Sequence, residues 1–480
     1  MPCPAARPRR KPRPERPARK HWKAASLLIP LCLVSFVLTG CLPRNQPADM
    51  TELLSLPQEP AAFESSEGEQ RAGVQEQDQE DSAEFLRAMH FLPWRSSGPL
   101  FNATQAFGDV KGFKEDVFYG ENLRPRPKGW VDRLLERCRP EAYPSLQAKA
   151  VTVRAANVRV LPTGKPAFKD PRQAGQGFPF DYLQYSSLWA NTPVQVTHAT
   201  RDRSWYFVET AHVYGWVRAE ALAFLSDHLA ERIRSLPLLA VSSDGFPVRD
   251  RQGRFLFRGR VGMLLPILSR QGKGYRCLAL RADQSREAVP ANVAIEPGQA
   301  GLYPLSPLRS VMAGTARELL GQSYGWGGLY GNRDCSATVR DFFIPFGIWL
   351  PRNSAQQAEM GRRIDLETET VRKKKQIILD RGVPFLTLIT MPGHVMLYVG
   401  SLGDRAAVLH TLWGLRTRDL LGREGRLIVG STVITDLYPG KDVAFLDRPG
   451  GELLHRITGM TSLARGVRGW DKAPFDRRLP

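Results

Sequence analysis

Cysteine is scarce in this chain: 480 residues contain six. None stands in a Cys-x-x-Cys, and no His/Cys grouping has metal-ligand spacing, so the chain lacks the marks of a disulfide framework or a structural zinc site. Apolar runs long enough to cross a bilayer are also missing. The longest, Ala24 to Val37, is broken by two serines and Pro30 and falls short of the roughly 20 residues a span requires. Acidic residues are in deficit, 48 against 67 Lys and Arg, for a net charge of +19. No Gly-Lys-Ser/Thr ends the glycine-rich loop at 325–331, which sets aside a phosphate cradle. No basic stretch interleaved with aromatics forms a nucleic-acid module, and no nucleic-acid partner is expected.

The length and a hydrophobic content of 42% are enough for several cores, so a multidomain chain is expected. Residues 1–23 hold nine Lys and Arg against Glu15. With the apolar run behind them they read as a secretory signal. Leu38-Thr-Gly-Cys41 follows and resembles the lipobox of bacterial lipoproteins. That resemblance implies cleavage before Cys41, lipidation of Cys41 and an exported body tethered to a membrane; a plain uncleaved anchor is the alternative. Leu42 stands where some lipoproteins retained in the inner membrane have aspartate, so the periplasmic face of the outer membrane is the expected destination. Removing the signal's +8 from +19 leaves +11, a surplus that favours polyanions such as wall polymers or lipid surfaces. Of the six cysteines only Cys138, Cys277 and Cys335 lie beyond Cys41.

Changes in pattern divide the chain. Residues 1–40 are the signal, and 41–148 comprise an acidic tether, rich in Glu, Gln, Pro and Ser to about Ser82, followed by a small, mostly helical domain with an amphipathic segment Trp130–Arg137. Short alternating runs between turn signals then predict two small β-barrels, over 149–226 and 227–303. Cys277 lies in an alternating strand of the second and reads, like Cys138, as a small buried hydrophobe. Residues 304–447 return to mixed α and β: a helix over Leu308–Leu320, a glycine loop, a helix over Ser336–Phe346, then strands at 395–399, 406–412 and 427–429. Residues 448–480 read as a basic, packed or frayed tail.

The chemistry concentrates in Tyr324-Gly-Trp-Gly-Gly-Leu-Tyr-Gly-Asn-Arg-Asp-Cys-Ser336. Cys335 opens a helix, where the N-terminal dipole and a neighbouring imidazolium favour a thiolate. Asp334 suits the N-cap, and the glycines let the loop fold tightly and let backbone approach a ligand. Of the eight histidines, His394, His410 and His455 follow Cys335. Pro392-Gly393 places His394 at the start of a strand. His410, on one strand face with Val408 and Leu412, is suited to bond the far nitrogen of His394 and fix its tautomer. His455 reads as structural.

With these residues in place, the region from about 304 to 446 resembles the NlpC-type cell-wall cysteine peptidases, papain-like enzymes with Asp-Cys-Ser after a Tyr-x-Trp-Gly-Gly loop. The two barrels resemble the bacterial SH3-like domains of the multidomain members. The resemblance implies an α+β papain-like catalytic domain behind two small SH3-like barrels and a mostly helical N-terminal domain. It also implies hydrolysis of the γ-D-glutamyl–diamino acid bond of peptidoglycan stem peptides. Cys335 would be nucleophile, His394 general base and acid, and His410 the orienting third residue, with no metal or other cofactor and backbone N–H groups near Cys335 holding the oxyanion. Relatives with such barrels often select stems with a free N-terminal L-alanine. On that analogy Asp334 and Ser336 would read the ammonium, Tyr324 would line the pocket, and Tyr214 and Asp181 would contribute from the first barrel. Pro351-Arg-Asn-Ser354 also matches a family motif, its role open. A monomer is expected. Two other readings use the same chain differently: a non-catalytic wall-binding lipoprotein, and a papain-like amidase or acyltransferase.

Overall fold

The computed structural model describes residues 45–47, 55–63, 73–108, 110–441 and 443–464. The expected signal, Cys41 and residues 465–480 lie outside the described residues. Helix α1 (Glu76–Arg95) begins with Glu76 and Asp78 in its first turn, the charge sign a helix N-terminus favours. It runs through Pro93 to Arg95, because a proline this near the end removes little of the bonding ladder. Leu86, Met89 and Trp94 are buried. The Trp94 indole donates to the Ala150 carbonyl (2.8 Å), Gln79 donates to the Leu305 carbonyl (2.7 Å), and the Tyr303 hydroxyl donates to the Ala83 carbonyl (2.8 Å). The helix is thereby fastened both to the strands that follow it and to the entry of the last domain. Helix α2 (Trp130–Cys138) buries Val131, Leu134 and Cys138 in a cluster with Leu183, Phe207 and Trp216.

Strand β1 is Asn45–Pro47. The first barrel follows with β2 (Ala148–Thr152), β3 (Ala156–Arg159), β4 (Gln184–Leu188), β5 (Pro193–Ala199), β6 (Trp205–Glu209), β7 (Tyr214–Arg218) and β8 (Leu222–Phe224), in the order β4-β3-β7-β6-β5-β2-β8. Every residue of β5 is buried, as expected of a strand covered on both faces. Helix α3 (Asp227–Ser235), capped by the Ser226 hydroxyl, leads to the second barrel. That unit contains β9 (Leu238–Val241), β10 (Pro247–Arg249), β11 (Phe255–Arg258), β12 (Leu264–Gln271), β13 (Gly274–Ala282), β14 (Ala288–Ile295) and β15 (Ala300–Leu302). Five of these form a sheet in the order β14-β13-β12-β9-β15, and β10 pairs with β11. Cys277 is fully buried among Leu239, Leu265 and Val293.

The last domain packs helices α4 (Arg309–Leu319), α5 (Cys335–Phe343) and α6 (Val371–Arg381) with β16 (Arg362–Asp365), β17 (Thr387–Met391), β18 (His394–Leu402), β19 (Arg405–Arg418), β20 (Glu424–Thr435) and β21 (Gly459–Ser462). The sheet order is β1-β20-β19-β18-β17-β21-β16, and the whole is a multidomain α+β architecture. The segment expected as a tail is corrected here. Strand β21 lies between β17 and β16, antiparallel to both, and Met460 and Leu463 are buried. A four-residue strand beside glycines carries too little periodicity to announce itself. The tether expected up to Ser82 is corrected where it is described. Strand β1 pairs in parallel with β20, and Gln58 donates to the Ile434 carbonyl (2.7 Å) while accepting from its N–H (2.9 Å). Glu59 meets Arg317 through two guanidinium nitrogens. A polar composition suggests solvation, yet Gln58 satisfies backbone groups of β20 and Glu59 pairs with helix α4.

Candidate active site

Asp334 caps α5, accepting from the Ala337 N–H at 2.8 Å, so Cys335 is the helix's first residue. The preceding loop is pressed against the first barrel. A Cβ on Gly328 would stand 2.1 Å from the Ser187 hydroxyl, and Gln184 donates to the Gly327 carbonyl at 2.9 Å. The close approach that these glycines permit is therefore to barrel strand β4. The Trp326 indole donates to the Asp181 carbonyl at 3.0 Å, which fixes the loop a second time.

The Pro392-Gly393 turn joins β17 to β18 and puts His394 opposite Met391 as the first residue of β18. The Cys335 thiol is bonded by the N–H of Val395, the residue after His394, so the thiol lies at the start of the strand that His394 opens. Nε2 of His394 lies 2.9 Å from Nδ1 of His410, and Nε2 of His410 lies 3.0 Å from the Thr435 hydroxyl. That hydroxyl donates its only proton to the Asp436 carbonyl (2.8 Å), so towards His410 it accepts. His410 thus carries its proton on Nε2 and presents a lone pair at Nδ1. His394 answers with a proton on Nε2, leaving its Nδ1 unprotonated. The chain of bonds selects the tautomer in which His394 accepts a proton.

Burial keeps both partners neutral at rest. It pushes the Cys335 thiol up to about 12, with the Asp334 charge acting in the same direction. It lowers His394 to about 4, assisted by the Arg456 charge, and lowers His410 well below the ordinary range. Thiolate formation then requires proton transfer to His394 as the substrate enters.

Asp334 and Ser336 flank Cys335 in the chain, and both side chains are engaged by neighbouring groups. One Asp334 oxygen accepts from Ala337 N–H, the Ser336 hydroxyl and Arg352; the other accepts from Gly327 N–H and from Arg352 at 2.6 Å. Arg352 also donates to Ser336 (2.9 Å) and Ser186. Asp181 is buried, ion-paired to Arg159, and bonded by the N–H groups of Ala167 and Leu183. The Tyr214 hydroxyl donates to the Gln105 carbonyl (3.0 Å), and its ring packs 4.2 Å from Phe101, which ties it to the N-terminal domain. Tyr324 does border the site. Its hydroxyl is held up by burial and by the charges of Asp334 and Cys335, and its ring lies 5.6 Å from Trp413. Phe180 packs 5.1 Å from Trp326 and 5.8 Å from Trp413, extending an aromatic wall from the first barrel. His455 pairs with Glu452, away from the relay. Arg352 had a signal in the 351–354 motif; Thr435 and Trp413 had none. Among the described residues no three His, Cys, Asp or Glu side chains form a group able to hold a metal.

Comparison with known proteins follows this layout. Family models match as an NlpC/P60 stabilising N-terminal domain over 30–143, SH3 domains of the SH3b1 type over 166–218 and the SH3b2 type over 226–271, and the NlpC/P60 family over 321–414. A solved NlpC/P60 endopeptidase from Photobacterium damselae subsp. piscicida is 22% identical, with a TM-score of 0.77 over 86% of this chain and 98% of that one. An NlpC/P60 family protein from Bacillus cereus ATCC 10987 is 17% identical, with a TM-score of 0.44 over 65% of this chain and 99% of that one. No curated protein matches the sequence. Residues 321–414 thus match the NlpC/P60 family, behind matches to an N-terminal stabilising domain and two SH3 domains.

Proposed function

We propose that this chain is a cysteine peptidase of the bacterial cell wall that opens the γ-D-glutamyl–diamino acid bond of peptidoglycan stem peptides. The observation that carries the reading is the bonded series from Thr435 through His410 to His394, whose neighbour Val395 bonds the Cys335 thiol at a helix N-terminus. In it Cys335 attacks the scissile carbonyl carbon as its proton passes to Nδ1 of His394. His410 holds the imidazole's orientation, and backbone N–H groups at the start of α5 receive the oxyanion. His394 returns the proton to the leaving amine, and water then releases the acyl group from sulfur. Tyr324 and Trp413 line the approach. Asp334 and Ser336 flank the nucleophile where a free stem amine would be read, and hydrolysis of sacculi beside that of free tetrapeptide decides whether that amine is required.

The body is exported and anchored through a lipidated Cys41, at the periplasmic face of the outer membrane, and works as a monomer. Purified Cys335→Ala is expected to keep the fold and lose all release of fragments from sacculi and from free tetrapeptide, with product masses identifying the bond. Unchanged hydrolysis sinks the proposal. Binding without cleavage by the native chain would favour a non-catalytic wall-binding protein, and masses showing a different opened bond would favour an amidase. Cys41→Ala is expected to leave the precursor unprocessed and free of palmitate label; normal labelling refutes the anchor.

A further inference from the structure

The turn joining β19 to β20 is built outward. Leu420 and Leu421 are 93% and 77% exposed, the former the most exposed large hydrophobic among the described residues. The five-residue turn Asp419–Arg423 is nonetheless rigid. The Asp419 carboxylate accepts from the N–H groups of Leu421 (2.9 Å) and Arg423 (2.8 Å) and from the Arg423 guanidinium, and Arg418 donates to the Gly422 carbonyl (3.0 Å). Two leucines held out by a saturated polar frame lose little freedom on entering an apolar phase. Around them stand Arg416, Arg418, Arg423 and Arg426 against Asp419, Glu424 and Asp447, one positive charge in surplus. Phe445, 40% exposed, adjoins the hairpin through the bond from Arg418 N–H to its carbonyl.

A second, independent feature says what surface is within reach. Strand β1 pairs in parallel with β20, Asn45 opposite Arg426 and Pro47 opposite Ile428. Because β20 runs away from the tip, so does β1, and Asn45 is its end nearest the tip. Cys41 precedes Asn45 by four residues in sequence, a reach of at most about 14 Å. From Asn45, the chain position next to the proposed anchor and the projecting leucines lie at the same end of the sheet.

We propose that the β19–β20 tip docks into an anionic lipid leaflet, Leu420 and Leu421 entering the boundary of the acyl chains and the arginines meeting the headgroups. His410 lies ten residues up β19 from Leu420, so docking holds the active site about 30 Å above the leaflet, fixing the height at which wall is cut. The inference rests on the tethered-chain reading only for bringing the lipid within reach.

The test uses the full chain in a Cys335→Ala background, reconstituted into vesicles of phosphatidylcholine with a minority of phosphatidylglycerol. A polarity-sensitive fluorophore is placed at Leu421→Cys or, as control, at Leu402→Cys, the exposed last residue of β18, beside the turn at the opposite end of β19. The 421 label is expected to shift to the blue and to be quenched by brominated acyl chains, and the 402 label to do neither. Leu420→Ser is expected to reduce that quenching. A floating chain whose 421 label is unquenched overturns the docking while leaving the tether intact, and a chain that does not float overturns both. A blue shift at 421 without lipid quenching indicates a second copy or a protein partner and also overturns the proposal.

Discussion

Thr435→Val keeps the shape of the side chain and removes the acceptor on which the tautomer series depends. In the native protein the Thr435 hydroxyl gives its proton to Asp436 and accepts from His410 Nε2–H. His410 is wholly buried, so in the variant an N–H on Nε2 has no partner, at a cost of about 1–3 kcal/mol. The ring escapes that cost by carrying its proton on Nδ1, where it faces Nε2 of His394, 2.9 Å away. His394 must then hold its own proton on Nδ1 and cannot accept one from Cys335. With the relay shifted to that tautomer, reaching the competent one costs up to about 1–3 kcal/mol, a fall in kcat/KM of up to about a hundredfold. The assay is hydrolysis of a γ-D-glutamyl-diaminopimelate peptide in single-turnover conditions, corrected for folded fraction, beside Thr435→Ser, which is expected to restore the rate. A Thr435→Val rate equal to that of the native chain refutes the tautomer argument, and a lower melting temperature with no change in rate assigns Thr435 a structural role alone.

The pH profile has a definite sign. Below about pH 4 His394 is protonated and cannot take the thiol proton, so kcat/KM falls with acidity there and stays flat through neutrality. Stability follows the same group: an unfolded histidine takes its proton near the ordinary 6.5, the folded one only near 4. Between those values the unfolded chain binds more protons, and unfolding free energy measured by denaturant titration is expected to rise with pH across that window. Arg352→Met leaves the Asp334 carboxylate buried without its ion pair, and a destabilisation of about 3–5 kcal/mol is expected from urea unfolding; a loss under 1 kcal/mol, about the value of a surface pair, refutes the burial argument. A chain ended after Asp447 loses β21 and buried Leu453, Leu454, Ile457, Met460 and Leu463. At about 1.5–3 kcal/mol for each side chain the loss is comparable to a whole domain's stability, so the truncated protein is expected to be insoluble or unfolded, and a cooperative melt by circular dichroism would contradict this.

The sequence by itself determined the elements whose causes are local. Asp334 before Cys335 reads as a cap opening a helix, and Pro392-Gly393 reads as a turn starting a strand at His394; both are short-range backbone preferences. The alternating runs of the two barrels, the order of the cysteine and its histidines, and the placement of Cys277 in an apolar strand are legible for the same reason. What only the tertiary structure decided depends on partners far apart in the chain. Arg352 saturates Asp334 across 18 residues, Thr435 fixes His410 across 25, and Gly328 is pressed against Ser187. Residues of each such pair give no signal of one another in one dimension. A capping carboxylate gives no sign of the arginine 18 residues away that pairs with it, and a Gly-rich tail looks loose until its strand is found inside a sheet.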